Sequence, residues 1–118
     1  MHYRRTPVWQ KAMKLAVGAC RLVATLPREE RFTIRPQIVR AATSVASNIA
    51  EGWARESVRE KLQFLSIAQG SLAELTTQLM LCRELGWLPA HELDELFALE
   101  QETGSMLTAL RRHFRKPR

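Results

Sequence analysis

Three groupings of residues in this 118-residue chain have types and spacings that could do chemistry. The first is a metal pair. His91 and Glu95 stand one helical turn apart, where an imidazole and a carboxylate can share a cation. Two ligands on one exposed turn do not complete a coordination shell, and a solvated pair near a helix start fits them better. His2 and His113 lie far from them in sequence, and Cys20 and Cys82 form no close pair. The Glu-x-x-His motifs with which helical proteins hold two irons are absent, as are phosphate-binding Gly-rich loops and a G-x-S-x-G elbow. The expectation is no metal, no cofactor, no catalytic residue and no small-molecule substrate, hence no enzyme.

The second grouping is a polar stripe. Gln37, Arg40, Ser44, Asn48 and Glu51 recur at three- and four-residue spacing, and Ser71, Glu74 and Gln78 do the same further on. One reading builds a site from Arg40, Asn48, Glu51, Glu74 and Gln78. The other makes them an internal network that sets helix register or subunit contacts. The network reading is preferred, because buried charges need partners and Arg40 with Glu51 or Glu74 would supply them.

The third grouping is a basic ridge. Lys11, Lys14 and Arg21 share one side of an amphipathic segment, and Arg28, Arg31 and Arg35 continue it. Cations displayed along one surface are what phosphate backbones bind, although a solvated charged face has the same composition. Aromatic interleaving is sparse. Trp9 falls on the apolar side, leaving Tyr3 and Trp53 as the residues able to stack on bases.

The positions of the charges matter more than the net charge of +6. Residues 1–61 hold twelve basic and five acidic side chains, residues 62–110 hold Arg83 against seven acids, and the last eight residues add five cations. That segregation suits either a polyanion partner or packing between complementary faces of identical copies.

Positioning these groups takes four helices. Thr6-Pro7 opens the first, with a broad apolar face of two stripes, Trp9, Met13, Ala16, Cys20, Val23 and Val8, Ala12, Leu15, Ala19, Leu22, Leu26, and Pro27 bounds it, giving about 7–25. Thr33 is the expected cap of the second, 34–52, and Gly52 its C-terminal stop. Ser57 and Glu60 have capping-box spacing at the head of the third, 58–85, which Gly86 ends. That third helix is apolar so far around that it needs more than one packing partner. Leu88-Pro89 opens the fourth, 90–114, with Leu93, Leu96, Leu99, Thr103, Met106, Leu107, Leu110 and Phe114 facing inward. Short connections between long helices predict an all-α, antiparallel up-and-down four-helix bundle, a single domain over residues 1–118. No apolar stretch approaches the roughly 20 residues that span a bilayer. Free apolar-side thiols and the lack of an export signal predict a cytoplasmic protein without membrane contact.

The run Gln37–Arg55, QIVRAATSVASNIAEGWAR, resembles the signature of the bacterial four-helix bundle proteins called large-subunit rRNA intervening-sequence proteins. Arg40, Ala41, Ser44, Asn48, Ile49, Ala50, Glu51, Gly52 and Arg55 match it, while Ala54 stands where members often carry Gly. VWQKAMKLA at residues 8–16 is similar to the family's opening, and FLSIAQGSLAEL at 64–75 supplies Gly70, Ser71 and Glu74. The resemblance implies a cyclic homo-oligomer, a homopentamer, and no established catalytic residues. It also implies RNA or DNA as a partner, since some relatives are encoded within rRNA genes. A distant cousin, the accessory protein of diversity-generating retroelements, is a basic pentamer that binds nucleic acid. The leading expectation is a non-enzymatic oligomeric bundle that binds nucleic acid through a basic surface. The alternative is a scaffold that binds a partner protein and no nucleic acid.

Overall fold

A computed structural model describes residues 2–30 and 32–117. Among these residues the secondary structure is all-α: four long helices, two single-turn 3-10 segments and no strand. The helices are α1 (Pro7–Val23), α2 (Ile34–Ala54), α3 (Val58–Glu84) and α4 (Ala90–Arg115).

Local chemistry explains most of the boundaries. Before α1, the Thr6 hydroxyl accepts from the Trp9 amide at 3.4 Å and donates to the Tyr3 carbonyl at 2.6 Å, and Pro7 takes the first helical position. The helix stops at Val23, two residues earlier than expected. There the Thr25 and Leu26 amides turn to carbonyls three residues back, and the Thr25 hydroxyl occupies the Leu22 carbonyl as well. This tightening brings the chain to Pro27. At the head of α3 the Ser57 hydroxyl accepts from the Glu60 amide at 3.1 Å, and past its end Gly86 takes φ of 72°, a conformation that favours glycine.

Both expected ends of α2 need correction. Thr33 holds the cap position, but its hydroxyl turns away to the carbonyl and carboxylate of Glu30 and caps nothing. Gly52 is an interior helical residue, not the stop; the helix continues to Ala54. The need for glycine comes from packing. A Cβ at residue 52 would sit 3.2 Å from Phe64 Cβ and 3.3 Å from the Lys61 carbonyl oxygen. The true cap is Lys61 of α3, whose ammonium donates to the carbonyls of Trp53 (2.9 Å) and Gly52 (3.5 Å), placing a cation at the negative end of the helix dipole.

One core joins all four helices. Leu15, Ala19 and Val23 meet Ile38, Val45 and Ile49, then Leu65, Leu75 and Leu79, then Leu93 and Leu107. The α2–α3 seam is the most extensive, and α1 and α4 close against each other where Gly18 admits Leu96. On α4 the buried positions run Leu93, Leu96, Glu100, Thr103, Leu107, alternating steps of three and four. A carboxylate therefore stands at a core position of the helix. On the exposed side of α3, Ile67, Met80 and Leu81, and Leu85 just past its end, are each between 42% and 50% exposed, interspersed with polar residues such as Gln63, Glu74 and Thr77.

Candidate nucleic-acid interface

The polar stripe divides into two unlike parts. At the α2–α3 seam, Ser44 Oγ and Ser71 Oγ are 2.8 Å apart, and the Asn48 amide donates to the Ser44 hydroxyl (2.9 Å) and carbonyl (2.8 Å). These three half-buried side chains satisfy one another and tie the two helices at a single register. The charged members do not join them. Glu51 pairs with Arg55 one turn on, at 2.7 Å, while Arg55 also lies over the Phe64 ring at 4.7 Å. Glu74 accepts from Gln78 at 3.3 Å. Arg40 is exposed and forms no ion pair among the described residues. An Arg40–Glu51–Glu74 cluster is thus not assembled within the chain. Arg40 and Glu51 stand about 16 Å apart along one helix at 1.5 Å per residue, and each of the three charges keeps water instead of needing a buried partner.

A different polar group is buried. Glu100 is only 9% exposed, and burial pushes its carboxyl up to about 7. Its Oε2 and the Oε1 of buried Gln78 both lack a hydrogen-bond donor. The α3–α4 seam sets the two at similar height, between the approach of Leu72 to Gly104 below and the stacking of Arg83 on Phe97 (5.4 Å) above. A protonated Glu100 would bring the missing proton to this acceptor-rich layer. The three-four spacing from Leu93 to Leu107 already carried the signal for its burial. Burial, together with the nearby charge of Glu30, also raises the Cys82 thiol, the reverse of the activation a nucleophilic cysteine needs.

The basic ridge is smaller than its sequence suggests. Lys11 Nζ lies 2.6 Å from Glu102 Oε2, so this charge ties α1 to α4. Lys14, Arg21 and Arg28 are exposed and have no ion pair among the described residues, and Arg31 lies outside those residues. Arg35 is half-buried at the start of α2, in a cleft shared with Phe32, Pro36, Val39 and Arg40. Tyr3 packs edge-on to Trp9 and Trp53 edge-on to Phe114, so both expected stacking residues are engaged within the chain. The aromatic ring most open to solvent is Phe32, 89% exposed, which the periodicity did not single out because it falls between helices.

These helices, with their serine–asparagine seam, match a known pattern. The model of the 23S rRNA-intervening sequence protein family aligns with residues 4–109. The chain belongs to that family. The aligned span includes every residue from Arg40 to Arg55 on which the sequence resemblance rested, and Gly70, Ser71 and Glu74 as well. Among solved structures, the chain is similar to a protein of unknown function from the S23 ribosomal protein family of Bacteroides thetaiotaomicron, with a TM-score of 0.80 at 20% identity. That likeness covers 88% of this chain and 97% of the other, and it speaks for the fold alone. No curated protein sequence matches the chain. Among the described residues no helix is long and apolar enough to cross a membrane.

Proposed function

We propose that this family member is a non-enzymatic, self-assembling antiparallel four-helix bundle that works in the cytoplasm and binds RNA or DNA through a basic surface. The observation that carries the nucleic-acid reading is the set of unmatched cations. Lys14, Arg21, Arg28 and Arg40 have no carboxylate partner among the described residues, and the carboxylates of residues 62–110 are concentrated on α3 and α4. Counterions held by such a surface are released when phosphates replace them. The antiparallel order is supported by the pairing of Ser44 with Ser71 and Gly52 with Phe64, in which numbers rise on one helix as they fall on the other. A reducing compartment suits the two free cysteines.

Self-assembly, in a ring as the family resemblance implies, is supported by exposed apolar side chains, Leu81 and Leu85 at the C-terminal end of α3 and Met13 with Val17 on α1. The acidic third and fourth helices of one copy then face the basic first and second helices of its neighbour. The same exposed leucines at the end of α3 favour a second reading, a scaffold that docks a partner protein. Light scattering separates assembly from its absence, and a monomer at micromolar concentration removes the ring. For nucleic acid, the triple reversal Lys14→Glu, Arg21→Glu, Arg28→Glu is expected to weaken RNA binding at least about tenfold at low salt and to flatten the dependence of affinity on salt. Anisotropy of a labelled RNA measures both. Affinity indifferent to the reversals and to salt removes the ridge, and a nuclease-resistant complex from a pull-down favours the scaffold.

A further inference from the structure

We propose that the connector between α1 and α2 is a stacking site for single-stranded nucleic acid, with Phe32 as the base platform and Arg35 and Arg40 as phosphate contacts. The inference rests on the nucleic-acid reading above and adds the form of the ligand and the residues that hold it.

Phe32 is the starting point. A phenylalanine side chain is worth about 2 kcal/mol more when buried than in water, yet this one is 89% exposed while the other three phenylalanines of the chain pack at least partly against neighbours. No aromatic or cation–π contact engages its ring among the described residues. The ring forms one wall of a cleft of about 440 Å³ whose other walls are Arg35, Pro36, Val39 and Arg40. Both arginines are without an ion pair among the described residues, and Arg28 stands exposed on the turn before the ring. The local carboxylates are Glu29 and Glu30, and Glu30 is occupied as the acceptor of the Thr33 hydroxyl at 3.1 Å.

An open aromatic face flanked by unpaired guanidinium groups is the arrangement that single strands use, the base stacking on the ring while the backbone runs past the cations. A duplex keeps the faces of its bases within its own stack, so a protruding ring gains nothing from it. The surroundings also speak against a bilayer or an apolar peptide. Pro36 and Val39 are the other apolar residues of the cleft, and Arg35 and Arg40 line it with them.

The experiment measures anisotropy of a labelled single strand of about twelve nucleotides and of a duplex of equal length, against the full chain at low salt. The single strand is expected to bind more tightly. Phe32→Ala should weaken it by about tenfold with little effect on the duplex, Phe32→Trp should retain it, and Phe32→Leu should not, because leucine keeps apolar surface but has no π face. The pair Arg35→Ala, Arg40→Ala should lower the salt slope by about two. If the wild-type protein binds the strands and Phe32→Ala binds them equally well, this site is wrong while the broader reading stands. If the wild type binds neither strand nor duplex, both fall together. A Phe32→Leu variant with wild-type affinity overturns stacking in favour of an apolar contact. A change in oligomer mass on Phe32→Ala makes the ring a subunit contact, and loss of phosphatidylserine vesicle binding with strand binding intact makes it a membrane contact. Either result overturns the proposal.

Discussion

At about pH 8, Glu100→Gln is expected to stabilise the protein by up to about 3 kcal/mol, and below about pH 4.5 to leave its stability nearly unchanged. The sign follows from where the proton sits. Burial raises the folded-state carboxyl from its ordinary 4.5 to about 7. Below the lower value both folded and unfolded chains hold the proton, and the group has no pH-dependent effect. Between the two values the folded chain keeps a proton that the unfolded chain has lost, so stability declines as pH rises. Above the upper value the folded protein carries a buried carboxylate at its full cost. Glutamine removes the charge at every pH and puts an amide donor in the layer where Gln78 Oε1 lacks one. Urea unfolding of both proteins across this range is the measurement. A difference in stability that stays constant with pH would contradict the burial of an ionisable Glu100.

Gly52→Leu should cost about 3 kcal/mol, at the upper end for overpacking, because the atoms it meets cannot rotate away. Phe64 Cβ and the Lys61 carbonyl oxygen would stand 3.2 and 3.3 Å from even the first added carbon. Prying α2 from α3 there would also pull Lys61 off the end of α2. Gly70 provides the control within the same helix pair. A Cβ at that exposed helical position meets nothing within 4 Å, so Gly70→Ala should gain about 0.5–1 kcal/mol from helix propensity. Opposite signs in a urea titration are expected. Wild-type stability for Gly52→Leu would mean that the α2–α3 seam is looser than described.

Most features decided within a few residues of chain were legible from sequence; the Thr33 cap was not, because its hydroxyl turns back to Glu30. Thr6-Pro7, Ser57 and Gly86 each act through a neighbouring backbone group in the role its type suggests, Ser57 accepting from the Glu60 amide as one half of the expected box. Features decided between helices were not. Gly52 looks like a helix stop, since glycine after a periodic run usually is one, and only the approach of Phe64 shows that its missing side chain serves packing. Ser44, Asn48 and Ser71 hydrogen-bond to one another at the α2–α3 seam, whereas the charges on the same stripe need no buried partner because their long stems reach water. Lys11 belongs by period to the basic ridge, and the choice of Glu102 across the α1–α4 seam lies in no local pattern. Phe32 escaped because periodicity says nothing about a residue between helices.

The close approach of Gly18 to Leu96 has a kinetic meaning. The α1–α4 seam joins residues about 80 positions apart, whereas α2 and α3 meet across a connector of three residues, Arg55 to Ser57. The entropy lost on closing a loop grows with the logarithm of its length, and it must be lost before contacts in that loop return any energy. The α2–α3 pair, close in sequence and richest in shared surface, is therefore expected to form first, with the outer helices condensing on it. Ile49→Ala should then slow folding, while Leu96→Ala should leave the folding rate almost untouched and hasten unfolding. On that order the α1–α4 seam, closing last, is expected to set how long the folded molecule survives.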